Sequence, residues 1–400
     1  MTPAPEDTVG RGSLHAPLAR RALAGFFLSG ILSALLGAIL PAWGYHLRPN
    51  FPMVGAHFLC FGTGVVLSTQ AARKLLKLRG LRFSLVLACS MACGSLLLLA
   101  VFSSPLAPAW RLAAIGIVGI AAGLLNSAVL HAIGPVFRHD PAAAVNLAGA
   151  FFVLGCLFVS LLVAGTFYVY TVPSILIWVA LIPVAGIWLY AKRPLANPPL
   201  SVQPAIRETL RDLKRLDAVL FAILVFFQFG NEWSVAGWLA LFLTQRLGLS
   251  PESSLQLLAL YWFSLLLGRV AAISLMVRVR HGTLLVGSTL SSLAGSTTLW
   301  ATDNVFGAVI GILLLAGGFA MTYPLVAEKM RGRFVSYQPG HFHGVFSVAL
   351  IGGMLAPWSL GIFADSWGIG AVMMIPVLGS CAVFVLVLAI WLESRIRGHR

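Results

Sequence analysis

Acidic residues are scarce in this chain. Twelve Asp and Glu stand among 400 residues, against 27 Lys and Arg, and charged residues of both signs make up only 10%. A soluble domain carries about 25%, so a chain this poor in charge cannot cover a water-facing surface. Cysteine is also scarce: Cys60, Cys89, Cys93, Cys156 and Cys381 all fall inside apolar stretches. An odd number in that setting reads as small packing residues and argues against disulfides or thiolate metal ligands. The sequence has no Gly-rich phosphate loop with its lysine, no metal-ligand cluster, and no Ser/His/Asp set arguable by spacing. These absences point away from an enzyme, an ATP-driven pump, a metal or a cofactor.

What the chain has is apolar length. Hydrophobic residues make up 59% and the mean hydropathy is +0.93. About 20 residues cross a ~30 Å hydrocarbon core. Spans are predicted at 22–45, 51–72, 81–102, 109–137, 146–167, 172–190, 217–244, 254–277, 283–301, 304–326, 341–363 and 369–392. Arg20-Arg21 before the first stretch mimics a signal peptide, but that stretch is too long for one and more spans follow.

The basic residues give these spans a direction. With the N-terminus inside, the inner segments hold three Lys and Arg in the N-tail, five from Arg73 to Arg82, Arg138, six from Lys192 to Arg215, Arg278 and Arg280, three from Lys329 to Arg333, and three in the C-tail. The outer side holds Arg48, Arg111 and Arg246, and Arg269 lies within a span. This alternation follows the positive-inside rule, puts both termini in the cytoplasm, and argues against nucleic acid as the partner of the +15 net charge. The expected protein is an all-α, multi-pass monomer in a lipid bilayer, the bacterial inner (plasma) membrane. Its parts are a tail over 1–21, a six-helix bundle over 22–190, an inner loop over 191–216, a second six-helix bundle over 217–392, and a tail over 393–400.

A weak internal repeat relates the halves. Gly149-x-Phe151-x-Val153 in the fifth span matches Gly344-x-Phe346-x-Val348 in the eleventh. Gly134-Pro135-Val136 and Tyr323-Pro324-Leu325 close the fourth and tenth. Two parallel halves about an axis along the membrane normal is the major facilitator layout, a twelve-helix fold of two pseudo-symmetric six-helix bundles.

More specific motifs extend the likeness. Phe26-Phe27-Leu28-x-Gly30 precedes Leu35 and Pro41; Asn146-Leu147-Ala148-x-x-Phe151-x-x-x-Gly155 follows; Gly230-x-Glu232 opens the second half; Tyr261-Trp262 precedes Gly268-Arg269. The longest is Ile351-Gly352-Gly353-x-x-x-Pro357-x-x-x-Gly361-x-x-Ala364-Asp365. On these residues the chain resembles the fucose–proton symporter family of the major facilitator superfamily, which includes glucose/galactose transporters. The resemblance implies secondary transport of a sugar or similar polar metabolite, coupled to a proton. Leu36-Gly37 stand where that family often carries Asn-Asp, Asn126 where it has Glu or Gln, and Phe319 where it has Asn.

Of the acidic residues only Glu232 lies well inside a span. Fifteen residues past Asp217, at 1.5 Å each, place it about 22 Å deep. A carboxylate at the bilayer centre costs about 2.5–3.5 kcal/mol, and intramembrane ionisable groups mark pathways and proton relays. Glu232 is therefore a candidate for proton coupling or substrate binding. Gln228 and Asn231 stand beside it as substrate contacts. Asn126 offers amide donors and acceptors near mid-depth, and His131 has the ordinary pKa of a proton shuttle. Helix-to-helix hydrogen bonding is the competing role for all of these. Arg269, about 13 Å from the inner-end Arg278, is a candidate gate by family placement, or else an arginine snorkelling to the inner surface. Among Trp233, Trp238, Trp262 and Trp358, the second pair sits beside the matched motifs and is the better choice for stacking on a solute. Two rival functions remain open. One is an exporter of amphipathic or lipid-like molecules, which Leu36-Gly37 and Phe319 favour. The other is a non-transporting receptor or assembly factor on the same scaffold.

Overall fold

The computed structural model describes residues 11–103, 108–133, 141–192, 216–333 and 344–398. Gly134-Pro135-Val136, Arg138 and most of the 191–216 loop lie outside the described residues. The described residues form eleven helices: α1 (Arg11–Ile39), α2 (Phe51–Val101), α3 (Pro108–Ile133), α4 (Pro141–Thr166), α5 (Val172–Ala191), α6 (Leu216–Leu247), α7 (Pro251–Arg278), α8 (His281–Ala301), α9 (Val305–Arg333), α10 (Gly344–Trp367) and α11 (Ala371–Gly398).

These helices account for twelve crossings because α2 makes two. Its 51 residues would run about 77 Å at the helical rise, more than twice a hydrocarbon core. The sequence predicts a loop over 73–80. Instead the helix continues through Leu75, Leu76 and Leu78, good helix formers, and breaks at a single residue. Gly80 has φ 78° and ψ 176°, a region essentially closed to residues with a Cβ. We expect Gly80→Ala to cost about 1–3 kcal/mol, read as a lower unfolding temperature in detergent. An unchanged temperature would show that the chain turns there without this strain.

Ten of the eleven helices are long and apolar enough to cross a membrane by composition. The exception, α8, carries eight Ser and Thr. Most of its hydroxyls bond within the helix: Ser288 and Thr289 donate to the Leu285 carbonyl, Ser292 to that of Ser288, and Thr298 to that of Ala294, while Ser291 donates to the Leu314 carbonyl of α9. Such back-bonding lets a hydroxyl-rich helix lie in an apolar setting. Termini are fixed by ordinary caps. Asn50 Oδ1 accepts from the Met53 amide at 3.0 Å, and Ser250 Oγ from the Ser253 amide at 3.1 Å, each followed by a proline in the first turn.

The helices pack as two halves with matching contacts. In the first, α1 meets α4, while α2 meets α3 and α5; in the second, α6 meets α10, α7 meets α9 and α8 meets α11. Across the halves, α2 meets α10 and α4 meets α7. Each contact has its counterpart under exchange of the halves, so the weak sequence repeat reflects a real pseudo-symmetry. Large apolar side chains such as Trp178, Trp188, Leu181 and Val277 point outward and exposed. In a multi-pass protein that is the lipid-facing surface.

At the end bearing the turns near 40–50 and 248–250, the halves meet in a tight seam. Trp238, fully buried, is fixed within its own half by donating from Nε1 to the Pro357 carbonyl at 2.9 Å, and across the seam its ring lies 6.0 Å from that of Phe58. Gln245 Nε2 donates to the Tyr45 carbonyl at 3.3 Å. Gly55 and Gly361 allow backbones to touch: a Cβ on Gly55 would lie 2.6 Å from the Trp358 carbonyl oxygen, and one on Gly361 2.5 Å from that of Phe51.

Candidate functional site

A cavity of about 210 Å³ lies between the halves, beneath this seam. Helical periodicity explains which side chains reach it. On α6 the lining residues are Phe229, Glu232, Trp233, Ala236 and Gly237, a stripe at i, i+3, i+4, i+7 and i+8. On α3 they are Ala122, Gly123, Asn126 and Leu130. The other helices add Ser29, Ser33, Leu36 and Gly37 from α1, Phe58 and Phe61 from α2, Phe152 from α4, Arg269 from α7, Tyr323 from α9, and Met354 from α10. The wall is mainly aromatic and aliphatic, with few polar groups set into it, as in small-molecule sites generally.

The polar centre is a pair of opposite charges. Arg269 Nη2 lies 3.9 Å from Glu232 Oε1, with side-chain exposures of 8% and 14%. That separation is an ion pair and longer than a hydrogen bond. Two groups on α4 hold the arginine. Asn146 Nδ2 donates to the Arg269 carbonyl at 2.9 Å across the halves. Gly149 leaves a notch for the guanidinium: a Cβ there would lie 1.9 Å from Nη1. Removing one partner of a buried pair costs about 3–5 kcal/mol, so each charge holds the other in place. Phe152 packs edge-on against Trp233 in the same cavity wall, with ring centroids 6.2 Å apart.

Of the residues singled out by sequence, the structure brings Asn126, Glu232 and Arg269 to one cavity. Leu36 and Gly37, where the resembled family carries Asn-Asp, also line it, whereas Phe319 is buried away from it. Five candidates do not line it. Asn231, one residue or about 100° around α6 from Glu232, turns instead against α11, where a Cβ on Gly379 would meet its Oδ1 at 2.0 Å. Gln228 lies one turn nearer the Leu216 end and is 2% exposed. His131, five residues past Asn126, is rotated about 140° from it on α3 and is buried. Trp262 is buried edge-on against Tyr261, with centroids 5.0 Å apart. Trp358 sits at the seam, its carbonyl against Gly55. The indole that does line the cavity is Trp233, which sequence reasoning ranked lower. Its signal was adjacency to Glu232 on the same stripe. Ser29, Ser33 and Tyr323 were missed because isolated hydroxyls in an apolar helix look like packing groups. Among the described residues, no set of three His, Cys, Asp or Glu is placed to hold a metal ion.

Comparison with known proteins agrees with this architecture. A family profile described as the Major Facilitator Superfamily matches residues 22–350. An uncharacterized MFS-type transporter of Yersinia pestis is 25% identical over 350 residues, covering 85% of this chain and 87% of that one. Among solved structures, the E. coli fucose:proton symporter superposes with a TM-score of 0.66 at 14% identity, covering 94% of this chain and 99% of that chain. A D-xylose-proton symporter gives 0.73 at 15% identity, covering 94% and 97%. At those identities the likeness establishes the fold alone.

Proposed function

The chain belongs to the Major Facilitator Superfamily, and from that premise we propose that it is a secondary transporter whose solute site is the cavity around Glu232 and Arg269. The solute is a sugar or similar polar metabolite, held between the halves and exposed to each side in turn. Glu232 carries the coupling proton. The observation that supports this reading is the placement of one acid and one base, the half-buried Glu232 and the buried Arg269, in a cavity lined by both halves. A group there changes access whenever the halves rock, so a proton loaded on one side is released on the other. The symport activity in the names of the two structural neighbours supports the same reading. The asymmetry of Lys and Arg orients both termini to the cytoplasm of a bacterial inner membrane. In that orientation the Gly55–Gly361 seam closes the outer side. A second reading, export of amphipathic molecules, is favoured by the aromatic wall of Phe58, Phe61, Phe152 and Trp233.

Asn126 and Trp233 test the location of the site. In proteoliposomes, Asn126→Ala and Trp233→Ala are expected to raise the KM of whichever solute is transported by about tenfold, the loss of roughly 1.4 kcal/mol of binding each. An unchanged KM in both variants would place the solute elsewhere.

A further inference from the structure

Arg269 is more heavily buried than its surroundings explain. It is 7% exposed, and among the described residues its guanidinium makes no hydrogen bond. Its charged neighbour is Glu232 at 3.9 Å, and Nε is buried without a partner. A guanidinium offers five donors in a fixed fork, and a buried donor left unpaired needs a physical reason. The side chain is nevertheless well held, by the Gly149 notch and by Asn146 on its backbone. An immobile fork facing a cavity, with its hydrogen bonds unspent, fits a planar anion that takes two parallel N–H bonds.

We propose that the transported solute carries a carboxylate, and that it crosses as an organic monoanion together with one proton. This rests on the reading of the cavity as the solute site and names the class of solute. The carboxylate sits on the Arg269 fork, the body of the solute packs against the aromatic wall that includes Phe152 and Trp233, and Asn126 takes a hydroxyl or carbonyl. Among the described lining residues, Glu232 is the sole acid and Arg269 the sole base. The titratable groups close to Glu232 are Arg269 and Tyr261 on α7 and Cys156 on α4.

Charge balance then supplies the coupling. With the cavity empty, Glu232 and Arg269 neutralise each other. When a proton from bulk water binds the Glu232 carboxylate, Arg269 is released and the cavity carries one positive charge. The monoanion cancels it. A proton without the anion, or the anion without the proton, leaves one unpaired charge in a low dielectric, which is costly. The halves therefore close over the cavity either empty or doubly loaded. Loss of both ligands on the far side restores the ion pair for the return.

Calorimetric titration of the purified full-length chain tests this with lactate, glucuronate, 3-phenylpropionate and glucose, each in two buffers of different ionisation enthalpy. At least one carboxylate is expected to bind with uptake of one proton per site, and to bind more weakly as pH rises. Arg269→Gln is expected to weaken that binding about a hundredfold. Gly149→Ala, which keeps both charges but displaces the fork, is expected to weaken it about tenfold. The proton count needs only the unmodified protein, so the test survives a variant that fails to fold. Binding of glucose with none of the carboxylates overturns the anion while leaving the solute site in place. Carboxylate binding without proton uptake, or undiminished in a folded Arg269→Gln, also overturns it. If none of the four binds, the anion is overturned. If a sugar panel is also not taken up by vesicles, the reading of the cavity fails with it.

Discussion

Replacing Glu232 by Gln is expected to abolish accumulation of solute driven by a pH gradient while leaving exchange of solute across an equilibrated membrane within about threefold of the original rate. The amide keeps the shape and one acceptor of the carboxyl group but binds no proton in this range. The unmodified protein should accumulate solute more strongly as the pH on the loading side falls below that on the other side. The variant should bring solute only to equal concentrations, with a flat response to pH. The variant also leaves Arg269 without its counter-ion, a change of about 3–5 kcal/mol in the empty protein. The empty return step should therefore be slower still, and net uptake should fall more than exchange. A variant that keeps both its rate and its pH dependence would remove Glu232 from the mechanism.

The second large effect concerns the seam. Even the first carbon of a side chain at Gly55 meets the Trp358 carbonyl at 2.6 Å, and the obstacle there is backbone, which cannot swing aside. Gly55→Leu is expected to force the halves apart at that end and to shift the population toward the state open there. Transport should fall by about tenfold or more, because a bias of roughly 1.4 kcal/mol in an alternating cycle already leaves the disfavoured state a tenth as populated. Spin labels at the exposed positions 47 and 250, on opposite sides of the seam, should report a longer distance in the variant. An unchanged rate with an unchanged distance distribution would mean that the seam does not close during transport.

Most of the fold was legible because hydropathy reports directly on the membrane. Twelve crossings follow from apolar length, and even α8 was found, since its hydroxyls are interspersed with Leu, Val and Trp. What hydropathy does not report is how the chain passes between crossings. The continuity of α2 through residues 73–79 depends on helix-forming leucines among the basic residues, and its break depends on one glycine at positive φ.

The polar lining of the candidate cavity was legible where chemistry was rare. A lone acid deep in a span marks itself, and Glu232, Asn126 and Arg269 do share a cavity. Rotation about the helix axes was less legible. Asn231 and Trp233 flank Glu232 at equal sequence distance, yet the packing of α6 against α11 takes Asn231 away and leaves Trp233 on the cavity side. Trp262 shares a helix with Arg269 but is consumed by packing on Tyr261. Sequence spacing assigns residues to a face. Only the neighbouring helices decide which face is turned inward. Leu36 and Gly37 show the reverse case: a family frame placed them at the site, and they are there, without an acid. Among the described residues that line the cavity, Glu232 is the one carboxylate.

Proton movement itself is the most direct test of that role. Proteoliposomes loaded with a pH-sensitive dye, without an imposed gradient, should acidify inside when solute is added outside, and the Glu232→Gln protein should take up solute with no such change. Solute entry into vesicles of the unmodified protein at constant internal pH would contradict proton coupling through the Glu232–Arg269 cavity.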